Sequence, residues 1–249
     1  MAIGKEIKGV LVAGGTGSRL LPFTRYTHKT LLPLFDRPVI DYALDTMRGA
    51  GISDITIIAN EHIGQIASHL GKSTKNERIH YVLEEEALGV ANALRLARPY
   101  VEGHRIMLYF SDNITTWDFE RDANEFSFSE SNPGAVLLAR EVEEPRQFGV
   151  CVIGKGGEVV DILEKPEEPP SNLAIGGIYL FDENFWVHFD SETEGGDSGF
   201  SISNITRRYV RAGKSLIRNV GEGTWIDCGT PENLLKASNM AALGKIVRK

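Results

Sequence analysis

The stretch Ile7-Lys8-Gly9-Val10-Leu11-Val12-Ala13, running straight into Gly14-Gly15-Thr16-Gly17-Ser18-Arg19, decides the fold class. A short apolar run stopped by glycines reads as a buried strand that feeds a tight loop. The same punctuation recurs outward from it. Residues 39–50 have helical spacing, with Ile40, Leu44 and Met47 on one side and Gly51 as the stop. A strand over 54–60, a helix over 63–70, a strand over 79–83, a helix over 90–97 and a buried strand over 106–110 follow. Strand alternating with helix predicts an α/β fold of Rossmann-like type, a mixed, mostly parallel central sheet flanked by helices. Ligands in such a sheet collect beyond the carboxyl ends of its strands.

The second half changes character. Residues 135–140, 148–153, 159–163 and 174–181 read as strands, with a hairpin turn at 154–157 and a loop marked by Pro166, Pro169 and Pro170. Helix returns over 202–212 and over 231–243, where Pro231 suits a helix start. No repeat or linker divides the chain, so a single domain over 1–249 is expected, its second half forming a smaller β subregion that walls the substrate.

Composition narrows the function. With 27 Lys and Arg against 34 Asp and Glu, the net charge is −7, which provides no general field for nucleic acid. Affinity for an anion must come from a local cluster of donors. The N-terminal residues carry charges and lack a long apolar run, and no stretch reaches the length of a membrane span, so a cytoplasmic location is expected. Cys151 and Cys228 are too few for a disulfide or metal framework; two buried thiols is the simpler reading, with a single bridge left open.

The loop Gly14-Gly15-Thr16-Gly17-Ser18-Arg19 lets backbone N–H groups approach a phosphate, and Arg19 can add a two-pronged charged contact. Many such loops are only tight connections. This one departs from the dinucleotide fingerprint, with Leu20 at the third glycine, and lacks the Gly-Lys-Ser/Thr of a P-loop. Asp112, in Ser111-Asp112-Asn113-Ile114, follows a buried strand, where a carboxylate can hold a hard cation or merely cap the next segment. Lys29, Glu164-Lys165 and Asp227 each read, taken alone, as ordinary surface or turn residues.

Together the segments resemble a family, the sugar-1-phosphate nucleotidylyltransferases, and most of all a short form of glucose-1-phosphate thymidylyltransferase. Val12-Ala13-Gly14-Gly15-Thr16-Gly17-Ser18-Arg19-Leu20 is similar to that family's opening pattern, and Lys29-Thr30-Leu31-Leu32-Pro33 to its next element. Ser111-Asp112-Asn113-Ile114 and Trp225-Ile226-Asp227-Cys228-Gly229-Thr230 resemble its two aspartate motifs. Phe148-Gly149-Val150, Glu164-Lys165-Pro166 and the tract around Ile175 match elements that touch the sugar phosphate.

The resemblance implies Mg²⁺-dependent transfer of a nucleotidyl group from a nucleoside triphosphate to a sugar 1-phosphate, with dTTP and glucose 1-phosphate favoured. It assigns Mg²⁺ to Asp112 and Asp227, the triphosphate to Gly14–Ser18, Arg19 and Lys29, and the base to Glu84 and Gly89. Phe148, Gly149, Glu164, Lys165 and Ile175 would hold the sugar phosphate. Residues up to about 133 would then be the nucleotide-binding half and those from about 134 the sugar half. A homo-oligomer is compatible with this reading, but the regulatory site and tetramer of longer members are not carried over.

Two departures leave specificity open. Glu84 stands where thymidylyltransferases carry glutamine, and an ionised glutamate only accepts, which suits guanine or the amino group of cytosine better than the O4 of thymine. Asp197, in Asp197-Ser198-Gly199-Phe200-Ser201-Ile202, stands in an ungapped comparison where the family has an arginine on the sugar phosphate. A cytidylyl-, guanylyl- or uridylyltransferase acting on another phosphate therefore remains as an alternative, and a non-catalytic regulatory homologue as a distant one.

Overall fold

Residues 4–128 and 133–246 are described by a computed structural model. Four strands, Arg105–Phe110, Ile7–Ala13, Asp54–Ala59 and Arg78–Leu83, lie side by side and run parallel, in that order. The inner three are mostly apolar because both faces of a parallel sheet are covered there, whereas the outer strand Arg78–Leu83 carries Arg78 and His80 and is partly exposed. Val10, Leu11, Ile57, Ile58 and Leu108 have no exposure at all. The helix Val39–Gly49 covers one face with Ile40, Ala43, Leu44 and Met47, spaced for a single stripe, and Gly51 at φ 77° turns the chain after it. The helix Val90–Val101 covers the other face with Ala93, Leu94 and Ala97.

The second half extends the same sheet rather than forming a separate one. Leu173–Phe181 is antiparallel to Arg105–Phe110 through Ile178–Phe181, and at its other end Ala174 and Ile175 pair with Val150 and Gly149. Ala135–Glu141 pairs along it as well, with a register shift between Ile175 and Tyr179. Gly176 and Gly177 sit at this interruption, and the sheet opens there. Val159–Glu164 is the hairpin partner of Gly149–Ile153, and Ser215–Asn219 runs parallel to Ala135–Glu141. The mixed, mostly parallel sheet read from the sequence is the one observed.

Helices at Glu120–Phe128 and Phe185–Thr193 and the strand Ser215–Asn219 were not legible in the pattern. The first buries Ala123 and Phe126 in the core and is pinned by polar contacts as well. Asp122, 4% exposed, accepts from Trp117 Nε1 at 2.9 Å and from Arg218 Nε at 2.6 Å. Both thiols are free and buried, which settles the cysteines. Among the described residues no helix is long and apolar enough to cross a membrane. Replacing Asp122 by alanine should destabilise the fold by about 2–3 kcal/mol, since it leaves the Trp117 indole N–H without its acceptor and removes the inner partner of the partly exposed Arg218. Urea unfolding measures this, and a loss inside the ~1 kcal/mol typical of surface pairs would contradict it.

Candidate active site

The carboxyl ends of three parallel strands deliver chemistry to one edge of the sheet. Ile7–Ala13 runs into Gly14-Gly15, Arg78–Leu83 into Glu84, and Arg105–Phe110 into Ser111-Asp112. A cavity of about 450 Å³ opens there, lined by Arg19, Lys29, Asp112, Glu164, Lys165 and Asp227. Gly15, Phe148, Gly149 and Ile175 also line it. A second cavity of about 280 Å³ adjoins it through Val12, Gly15 and Val90 and takes in Gly14, Thr16, Glu84 and Gly89. Of the residues singled out in the sequence, Gly17 and Ser18 line neither; they begin the short 3-10 turn Ser18–Leu20 that carries Arg19.

Asp112 and Asp227 are remote in sequence and adjacent in space. Asn113–Thr115 and Trp225–Asp227 form a small antiparallel ladder in which Asp227 faces Asn113, and the Cys228 N–H donates to the Asp112 carbonyl at 2.8 Å. The Asn113 side chain ties this junction together. Its Nδ2 donates to Asp112 Oδ1 at 3.0 Å, while its Oδ1 accepts from Trp225 Nε1 at 2.7 Å and from the Gly177 N–H at 3.1 Å. Only glycine fits at 177, because a Cβ would stand 2.8 Å from Asn113 Nδ2.

Lys29 Nζ lies 2.5 Å from Asp112 Oδ2. Burial opposes ionisation of Asp112, but contact with Lys29 outweighs it and holds the carboxyl below its ordinary range. Burial, and then the charge of Asp112, push Asp227 the other way, against the Gly229 N–H, Arg19 and Lys29. Two carboxylates in that relation suit a hard cation such as Mg²⁺, which binds one or two carboxylates and draws its remaining ligands from phosphate and water. Among the described residues, no group of three or more acidic, His or Cys side chains could hold a metal by itself.

On the opposite wall, Lys165 follows the strand Val159–Glu164 with a left-handed backbone (φ 42°), and its N–H donates to the Phe148 carbonyl at 2.9 Å. That conformation is unfavourable for a residue with a side chain and is found at sites that use it. Lys165 Nζ is 3.5 Å from Glu164 Oε1, and Ser203 Oγ donates to Glu164 Oε2 at 2.5 Å. Ser203 stands at the start of the helix Ile202–Arg211. Neither Ser203 nor Asn113 was singled out by sequence reasoning. Asn113 lay inside a quoted motif, whereas a lone serine gives no sequence signal.

The structure corrects the placement of Asp197. It does not line the cavity but forms a two-pronged ion pair with Arg95 on the helix Val90–Val101, in a solvent-exposed position. Gly196 (φ 99°) and Gly199 (φ 88°) turn the chain on either side of it, and an ungapped count through this segment does not track position in space. The cavity wall is made instead by Phe200, Ser201, Ile202 and Ser203.

His28, 1% exposed, braces the loop behind Lys29. Its Nε2–H donates to the Ala13 carbonyl at 2.6 Å, and its Nδ1 sits 3.2 Å from the Thr30 N–H, from which it accepts, and 2.7 Å from the Thr30 hydroxyl, an arrangement that suits a neutral ring. Burial is the main cause of a pKa pushed down to about 4, with Lys29 adding to it and the bond to Ala13 opposing it.

A family model described as nucleotidyl transferase matches residues 8–243. The low-salt glycan biosynthesis nucleotidyltransferase of Haloferax volcanii is 34% identical over 98% of this chain and 68% of its own length. A glucose-1-phosphate thymidylyltransferase of Xanthomonas campestris pv. campestris is 34% identical over 93% of this chain and 79% of its own. The chain thus spans two thirds to four fifths of these relatives. The crystal structure of a putative glucose-1-phosphate thymidylyltransferase from Bacillus anthracis superposes with a TM-score of 0.87 at 33% identity, covering 94% of this chain and 95% of that one. An apo UDP-glucose pyrophosphorylase, at 21% identity and a TM-score of 0.80, shares the fold.

A neutral His28 makes stability depend on pH. The unfolded chain binds the proton near pH 6.5 and the folded chain only near 4, so this contribution is complete above 6.5 and is lost as pH falls toward 4. At about 1.4 kcal/mol per unit the loss reaches about 3 kcal/mol. Urea unfolding across that window should show a slope that flattens in the His28→Asn variant; equal slopes would contradict the assignment.

Proposed function

We infer the reaction from one premise: the chain belongs to the nucleotidyl transferase family, and it is a sugar-1-phosphate nucleotidyltransferase. It carries a nucleotidyl group from a nucleoside triphosphate to a sugar 1-phosphate, giving a nucleoside-diphosphate sugar and pyrophosphate, with dTTP and glucose 1-phosphate as the favoured pair. The observation that supports this reading is one cavity with two adjacent carboxylates, Asp112 and Asp227, and three cations, Arg19, Lys29 and Lys165.

A sugar phosphate is already an anionic nucleophile, so attack on the α-phosphorus needs neither a general base nor a covalent intermediate. Catalysis is then positioning and neutralisation of charge. Lys165 orients the attacking phosphate, and Glu164, steadied by Ser203, accepts from sugar hydroxyls beside Phe148, Gly149 and Ile175. Arg19 and the N–H groups of the Gly14–Ser18 loop take the charge that builds on the departing pyrophosphate. Lys29, seated on Asp112 without substrate, shares its charge with the triphosphate when that arrives. Asp112 and Asp227 would hold Mg²⁺, which supplies charge neutralisation at the α-phosphate and a template for the in-line approach. The half of the chain up to about residue 133 serves the nucleotide and the remainder the sugar phosphate.

A second reading keeps the reaction and changes the acceptor. With Asp197 outside the cavity, Lys165 is the cation that the described residues contribute on the sugar side, and one relative is named for glycan biosynthesis rather than for a glucose phosphate. A matrix of nucleoside triphosphates against sugar 1-phosphates, with Mg²⁺ and pyrophosphate release as readout, decides between them. The greatest release is expected with dTTP and glucose 1-phosphate, and silence across the matrix would reject the reaction. Asp112→Asn should lower turnover about a hundredfold or more while the protein stays folded, comparable to removal of other preorganised charge stabilisers. Near-normal turnover would remove Asp112 from the machinery.

A further inference from the structure

Lys29 stands between two parts of the larger cavity. Its ammonium lies 2.5 Å from Asp112 Oδ2, and a Cβ built on Gly15 would stand 3.2 Å from the same nitrogen. The head group thus meets Asp112 on one side and the glycine loop on the other. The backbone beneath it is anchored. The His28 N–H donates to Gln65 Oε1 at 3.1 Å, the Leu31 N–H donates to the His28 carbonyl at 2.9 Å, and the His28 ring holds the Ala13 carbonyl. A flexible four-carbon stem can carry the ammonium from Asp112 toward the loop while that backbone stays in place.

Asp227 has a cation of its own. Arg19 Nη2 and Asp227 Oδ1 flank one point above Gly229, where a Cβ would stand 2.7 Å from the first and 2.8 Å from the second. Two carboxylates are therefore matched by two cations, and together they offer no net charge to an incoming divalent ion. An ion on Asp112 would also stand beside the Lys29 ammonium. The two side chains are only 13% and 15% exposed, so repulsion between the cations is weakly screened. A neutral donor on Oδ2 would leave the carboxylate open to an ion through its other lone pair. A full positive charge opposes the ion whichever lone pair it uses.

A triphosphate changes that balance. It brings several negative charges to the loop beside Gly15 and gives the ammonium a second set of anionic oxygens within reach. Once Lys29 turns to them, Asp112 is released, and an ion gains carboxylate and phosphate ligands together. We propose that Lys29 is a placeholder for the divalent ion: its ammonium holds Asp112 until a triphosphate draws it away, so the ion is admitted with the nucleotide and not before it. This rests on the reading that Asp112 and Asp227 hold Mg²⁺ and that the loop receives the triphosphate.

The test is Mn²⁺ binding without nucleotide, followed by electron paramagnetic resonance of the free ion, for wild type, Lys29→Met, Lys29→Gln and Lys165→Met. Wild type should bind the ion weakly, and both variants at position 29 should bind it at least about tenfold more tightly. Lys165→Met removes the same charge from the opposite wall and should stay within about threefold of wild type, which separates occupancy of Asp112 from the general field. Binding of dTTP without metal should move the other way, weakening about tenfold in both variants at position 29. Damage to the loop alone would weaken both ligands. Should Lys29→Met fail to fold, Lys29→Gln, which keeps a donor for Asp112, still decides. Mn²⁺ affinity unmoved at position 29, or an equal gain in Lys165→Met, would overturn the placeholder. Adding Asp112→Asn to Lys29→Met should abolish the gain; a gain that survives it would reject the metal reading and the placeholder with it. Tight wild-type binding that Asp112→Asn removes would keep the metal reading and reject the placeholder.

Discussion

The pairing of Asn113–Thr115 with Trp225–Asp227 is the constraint on which the site depends. Six residues of ladder contribute little by themselves, at about 1 kcal/mol net per hydrogen bond, and they must hold two carboxylates against their mutual repulsion. The junction holds because polar groups on both sides are satisfied at once. Asn113 binds the Trp225 indole, the Gly177 backbone and Asp112; Lys29 and Arg19 supply positive charge; and the Gly229 N–H donates to Asp227 Oδ1 at 2.7 Å. Burial, and then the charge of Asp112, raise the pKa of Asp227, while contact with the Lys29 ammonium lowers that of Asp112 in spite of its own burial. A divalent ion and two phosphates would complete that balance of charge.

The scaffold around the junction is rigid where precision matters. Asp112, Glu84 and the glycine loop all leave the same edge of a parallel sheet whose inner strands are closed on both faces, so their separation is set by the spacing of strands rather than by loops. Glu164 and Lys165 end a hairpin strand on the extended side of the same sheet. The cavity lies between these two groups because Leu173–Phe181 changes partners at Gly176-Gly177. The two groups of cavity residues are thus borne by two regions of one sheet, stitched by the 113–115 and 225–227 ladder.

Most of the sheet was legible in the chain because apolar runs bounded by glycine or proline have few other solutions. The strands 106–110 and 174–181 and the helix 63–70 were placed within a residue of their observed ends. Glu120–Phe128 escaped because only Ala123 and Phe126 among its apolar residues turn to the core, too few to show a period, and because the pinning by Asp122 is an interaction that no periodicity records. Phe185–Thr193 opens on an aromatic cluster that does not spell a helical stripe. Around the cavity, the residues inside contiguous motifs could be singled out from the chain, whereas Ser203 and Asn92, which reach Glu164 and Glu84 only through a hydrogen bond from elsewhere, gave no motif to read. Asp197 shows the opposite failure. A linear count put it in the pocket, and glycines on either side carried it to Arg95 instead.

The claim that Asp112 and Asp227 act as one cation site is open to a direct measurement. Mn²⁺ binding can be followed by electron paramagnetic resonance in the presence of dTTP, for the wild-type chain and for Asp227→Asn. The account predicts an ion held by wild type together with nucleotide, and a marked loss of that ion in the variant while the fold is kept. Equal Mn²⁺ affinity in the two proteins would contradict it.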